Sequence, residues 1–138
     1  RVARKNIGKQ KLQSRVTAMA LDATRPAMRF IGKFHLIVSN PPYIPSGQLP
    51  TLDRSVRDYE PQLALDGGAD GLAFYRSIVA CYTHALEPSG SLCLEFGLGQ
   101  EADVAKILEE GGYEITQWKR DASGIMRAVL ACKKEKGE

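Results

Sequence analysis

The sequence has no apolar run approaching the roughly 20 residues that a membrane span requires, and no charged-then-apolar leader ending in small residues. Neither membrane insertion nor secretion is therefore expected. Cysteine is scarce: Cys81, Cys93 and Cys132 are odd in number, far apart and without a CxxC spacing. That pattern argues against a disulfide framework and against structural zinc, so no metal site is expected and a reducing cytoplasm is the expected compartment. Repeats and low-complexity segments are also lacking, and so is an initiator methionine, which reads as a piece of something longer. Acidic residues are missing from positions 1–15, where Arg1, Arg4, Lys5, Lys9, Lys11 and Arg15 give a local charge of +6. The rest of the chain is net acidic. A basic arm over 1–14 reads as a solvated helix face before it reads as a nucleic-acid contact.

What is present is an ordinary globular composition, 43% hydrophobic and 25% charged over 138 residues, enough for one domain. Arg15 to Leu21 reads as a short strand closed by Asp22. The run Phe34-His35-Leu36-Ile37-Val38-Ser39 reads as a strand buried on both faces, the habit of a parallel sheet. From Pro41 to Gly71 prolines and glycines break every candidate element. Leu49, Leu52, Val56, Tyr59, Leu63 and Leu65 run through this stretch and predict a packed loop. Leu72, Tyr75, Val79, Tyr82 and Leu86 step by three and four, an amphipathic helix stopped by Pro88-Ser89-Gly90. A strand over 91–96, a helix over 100–110 stopped by Gly111-Gly112, and strands over 113–118 and 125–132 complete the pattern, with a frayed tail over 133–138. Strand–helix alternation predicts an α/β domain with a mostly parallel sheet. Ligands in such sheets sit beyond the carboxyl ends of the strands, where Asn40 and Glu95 fall. His35 and His84 read as structural or solvated, the cysteines as small hydrophobes, and Glu95 as a hydrogen-bonding partner.

Asn40-Pro41-Pro42-Tyr43 is the most informative tetrapeptide. Two successive prolines fix two φ angles and remove two backbone donors, and each pushes its predecessor toward an extended conformation. The Asn40 carboxamide and the Pro41 carbonyl can then point the same way as fixed acceptors for the two hydrogens of an NH₂ group. Tyr43 adds a flat face for a planar amide or base. An amide nitrogen is a poor nucleophile because its lone pair is delocalised. Acceptors on its hydrogens stabilise the charge that develops as it attacks, so they act most in the transition state.

The strand followed by NPPY resembles the amino-group methyltransferases that use S-adenosylmethionine, including those acting on adenine or guanine in DNA and ribosomal RNA. The downstream blocks Tyr59-Glu60-Pro61, Ala64-Leu65, Gly67-Gly68-Ala69-Asp70-Gly71-Leu72, Tyr75-Arg76 and Leu94-Glu95-Phe96-Gly97 with Gln100 narrow the likeness. Together they resemble the HemK family of protein-glutamine methyltransferases, from about Asn6 to Lys133. The resemblance implies a Rossmann-like class I methyltransferase fold, S-adenosylmethionine as cofactor, and methylation of the glutamine amide in the GGQ motif of peptide chain release factors. It implies that Asn40 holds the substrate amide and lies against the cofactor, and that Pro41 supplies the second acceptor. Pro42 and Tyr43 would line the glutamine pocket, and Asp22 would stand near the adenine with Ala23 beside it. Glu60 either shapes the loop over the site or anchors that loop structurally.

The family's glycine-rich cofactor loop has no counterpart here, since no Gly-x-Gly segment precedes Asn40. The family sheet order, 3-2-1-4-5-7-6, would be truncated, with its first two strands absent. An unpaired edge on the 34–39 strand, self-association through that edge, and weak cofactor binding and inactivity of this chain alone are the resulting expectations.

Overall fold

The computed structural model describes residues 1–134. Its centre is a sheet of β1 (Phe34–Ser39), β2 (Leu86–Glu95), β3 (Tyr113–Arg120) and β4 (Met126–Lys133), in the order β1-β2-β4-β3. That is the 4-5-7-6 order which the family resemblance implies for these strands. β1 runs parallel to β2, whereas β4 is antiparallel to both β2 and β3. A mostly parallel sheet is thus corrected among the described residues. The reason is local: β3 and β4 are joined by a tight turn, which only antiparallel strands permit. Asp121 builds that turn by accepting from the amides of Ser123 and Ile125, with Gly124 at φ +80°.

Helices α3 (Ala73–Tyr82) and α4 (Glu101–Glu110) share one core with the sheet. Tyr75, Ile78 and Val79 of α3 and Val104 and Leu108 of α4 cluster with Leu92 and Leu94 of β2, Val129 and Ala131 of β4, and Tyr113 of β3. Phe96 is fully buried and meets the Trp118 ring edge-on at 5.7 Å. The helix expected over 72–86 stops earlier, at Tyr82. The Thr83 hydroxyl bonds back to the Val79 carbonyl, and the chain tightens into a 3₁₀ turn over Thr83–Ala85. Leu86 keeps its inward phase as the first residue of β2, pairing with Phe34. Pro88 and Gly90 lie where the β1–β2 register slips, so they mark an irregular strand start and not a helix stop.

Two strand expectations fail for one physical reason. Ile37 pairs with Leu92 and packs on the core, which puts Leu36 and Val38 on the opposite face, 51% and 67% exposed. β1 is therefore an edge strand with one bare face, not a strand buried on both sides. Residues 16–21 form no ladder, and Val16, Met19 and Leu21 are exposed, because no strand among the described residues flanks β1 there. The basic arm folds as α1 (Val2–Lys9) with no buried residue, as a solvated helix should. Lys133 and Lys134, expected in a frayed tail, are held instead: Lys133 pairs with Tyr113 and Lys134 donates its amide to the Gly112 carbonyl, and the rest of that expectation, 135–138, lies outside the described residues.

Because the Phe96 ring joins β2 to β3 through Trp118 with no exposed edge, Phe96→Ala is expected to lower stability by about 3–5 kcal/mol. Urea unfolding read by Trp118 fluorescence measures it.

Candidate active site

Asn40 follows the last residue of β1, at the carboxyl end of the sheet. It lines a cavity of about 360 Å³ with Pro41, Pro42, Tyr43, Ile44, Ala64 and Leu65. Four sequence-predicted residues, Asn40 to Tyr43, are therefore brought together. Asn40 is exposed, Pro41 buried and Tyr43 half-buried, which presents the carboxamide on a stiff support.

The support comes from glycines and one glutamine. The Gln100 side chain donates to the Tyr43 carbonyl at 3.0 Å and to the Gly71 carbonyl at 3.4 Å, and accepts from the Gly97 amide at 2.9 Å. It thereby ties together the segments that follow β1, precede α3 and follow β2. A Cβ on Gly67 would lie 2.8 Å from the Tyr43 Cα, and one on Gly97 would lie 2.9 Å from the Tyr43 ring. Gly71, at φ +77°, would strike the Tyr43 carbonyl oxygen. Glycine is needed at 71 on both counts, conformation and space. The spacing of motifs in the sequence carries no signal for this clamp, although Gln100 and the glycines stand in the motif pattern.

The loop over 41–71 is only partly packed: Leu49, Leu52, Val56 and Leu65 are half-buried, whereas Tyr59 and Leu63 are exposed, against the expectation of a packed loop. It contains 3₁₀ turns at Ser46–Thr51 and Gln62–Ala64 and the one-turn helix α2 (Arg54–Arg57). Ile44 and Asp66 form a parallel bridge, with the Ile44 amide on the Leu65 carbonyl and the Gly67 amide on the Ile44 carbonyl. Asp66 accepts from Ser46 and from the Gly68 amide. Asp70 accepts from the Leu72 amide at 3.0 Å and pairs with Arg76, which pulls its carboxyl down to about 2. Tyr75 donates to the Glu95 carbonyl at 3.0 Å, and burial keeps its hydroxyl protonated far above the usual range. Glu95 thus serves through its backbone.

The remaining predicted residues stand apart. Glu60 is exposed, follows α2 and does not line the Asn40 cavity. Asp22 and Ala23 do not line it either. They are held against the end of α3, where Tyr82 donates to the Asp22 carbonyl and Cys81 to the Thr24 carbonyl. The Asp22 carboxylate accepts from the hydroxyl and amide of Thr24, which lower its pKa first, and pairs with Arg25. His84 contacts the Ala27 carbonyl at 2.9 Å, a structural role, and His35 is exposed on β1. Among the described residues no group of His, Cys, Asp and Glu could hold a metal ion, and no helix is long and apolar enough to cross a membrane.

No protein-family profile matches the chain. By structure it resembles TrmN from Thermus thermophilus, with a TM-score of 0.63 at 17% identity over 96% of this chain and 32% of that one. Magnesium protoporphyrin IX methyltransferase from Synechocystis PCC 6803, solved with S-adenosylmethionine bound, gives 0.52 at 14% identity, over 96% of this chain and 52% of that one. The fold is that of the class I S-adenosylmethionine-dependent methyltransferases. Its sequence is 49% identical over 106 residues to a release factor glutamine methyltransferase of Rhodospirillum rubrum, 77% of this chain and 33% of that one. Proteins of the same name match up to 96% of the chain at 38% identity. Over that shared stretch the chain is similar to the release factor glutamine methyltransferases, and it spans about a third to just under half of the length of these relatives.

The described residues do not by themselves fit the cofactor. Asp22 lies on an open surface outside the Asn40 cavity, and the bare face of β1 encloses nothing.

Asp70 yields a pH dependence with a definite sign. A carboxyl held below its ordinary 3.8 favours the folded loop fully above that value and loses the effect as pH falls through about 2. The Leu72 amide signal, followed by NMR on acidification, is expected to move over that window, and Asp70→Asn is expected to remove the transition.

Proposed function

We propose that this chain carries the amide-holding part of an enzyme that transfers a methyl group from S-adenosylmethionine to a glutamine side chain of a peptide chain release factor, in the cytoplasm. The observation that carries the reading is the Asn40–Tyr43 turn lining one cavity at the end of a strand, on a chain related to release factor glutamine methyltransferases. Asn40 Oδ1 and the Pro41 carbonyl accept the two amide hydrogens, and Tyr43 flanks the amide plane. These contacts strengthen as the nitrogen loses its conjugation, so they lower the barrier and do not merely tighten binding. Gln100 is a positioning residue, holding Tyr43 without touching the amide.

Asn40→Ala in the whole protein is expected to reduce methyl transfer by on the order of 10²–10³-fold, measured with radiolabelled methyl donor. Pro41→Ala is expected to cost less, because the carbonyl survives and only rigidity is lost. Activity unchanged by Asn40→Ala would overturn the acceptor role.

The open edge of β1 supports self-association of this chain, since its unpaired amides and carbonyls and the exposed Leu36 and Val38 invite another strand. The incomplete cofactor surface supports weak binding of S-adenosylmethionine by the chain alone. Calorimetric titration with the solution mass recorded in parallel is expected to give an affinity weaker than about micromolar and a mass that rises with concentration. Tight binding by a concentration-independent monomer would overturn both.

A further inference from the structure

We propose that the loop between β1 and α3 carries a second substrate subsite, an apolar pocket for a hydrophobic side chain flanking the acceptor glutamine. The proposal rests on the reading that the Asn40 cavity holds that glutamine amide. The pocket has a volume of about 250 Å³ and is lined by Leu49, Pro50, Leu52, Arg57, Gln62 and Leu65. Leu65 also lines the Asn40 cavity, so one side chain stands between the two. Its backbone is tied to the active turn, because the Leu65 carbonyl accepts from the Ile44 amide, the residue after Tyr43.

The lining specifies the occupant. Four of the six lining residues, Leu49, Pro50, Leu52 and Leu65, are apolar, so an aliphatic or aromatic side chain loses its water there, with Gln62 and Arg57 as the polar members. The one cation, Arg57, is held across the rim by Asp58 at 2.9 Å and by the Pro50 carbonyl at 3.3 Å. A guanidinium has five N–H donors, so it has capacity left for a carbonyl of the substrate backbone. A free amide fills only the first cavity. A polypeptide fills both, with its glutamine on Asn40 and a neighbouring hydrophobe beyond Leu65. The same loop exposes Tyr59 and Leu63, at 85% and 88%, which adds apolar surface available to a polypeptide.

The test is binding of glutamine peptides to this chain by fluorescence anisotropy, with leucine scanned against alanine at each nearby position on either side. At one position the leucine peptide is expected to bind roughly tenfold tighter or more. Leu52→Ser is expected to bring it down to the alanine value, and Leu49→Ser reports on the same pocket should the first variant fail to fold. Replacing the central glutamine by glutamate is expected to weaken every peptide alike. Equal affinity of leucine and alanine peptides, with glutamine still preferred over glutamate, would overturn the subsite and leave the amide reading standing. A leucine preference that survives both serine variants would also overturn it. Binding that ignores the glutamine, or no binding at all, would overturn the amide reading and the subsite with it.

Discussion

Tyr43 is packed closely by three glycines, Gly67 and Gly71 against its backbone and Gly97 against its ring. Gly67, Gly71 and Gly97 leave no room for a Cβ, and Gln100 bonds to the carbonyl that emerges from between them. Two prolines stiffen the turn from within, and this contact stiffens it from without. Together they hold the backbone from which the exposed Asn40 carboxamide projects at the end of β1, and rigidity of that kind is what the proposed acceptor role requires. The α3 start, the β2 exit and the 41–71 loop are all arranged around that one close approach.

The parts of this design that were legible in the sequence are those with local causes. The NPPY turn announces itself because proline fixes φ wherever it occurs, and the Asp121–Gly124 turn because its residues suit no other conformation. α4 keeps its apolar period and its glycine stop. The misreadings have non-local causes. Leu36 and Val38 have the composition of buried residues, and only the sheet order reveals that nothing among the described residues covers their face. Leu86 continues a helical period in phase, yet pairing with Phe34 draws it into a strand. The Gln100 clamp joins residues 29 and 57 positions away, a distance over which no pattern in a single sequence speaks.

The Asn40 turn and the Asp22 segment differ in their support. The first is held by prolines, glycines and Gln100 beside the packed core. The second rests on two weak contacts to the end of α3 and a turn of its own, on an exposed surface.

The strand connections also order the molecule in time. β3 and β4 meet across the five residues 121–125, so their pairing requires little loop closure. β1 reaches β2 only after the long stretch over 40–85 has been drawn in, and such closure is slow and entropically costly. Paired on one side and bare on one face, β1 has fewer contacts to hold it than β2 and β4, which are paired on both sides. The Asn40–Tyr43 turn therefore hangs from an edge strand, at the margin of the sheet and not at its centre.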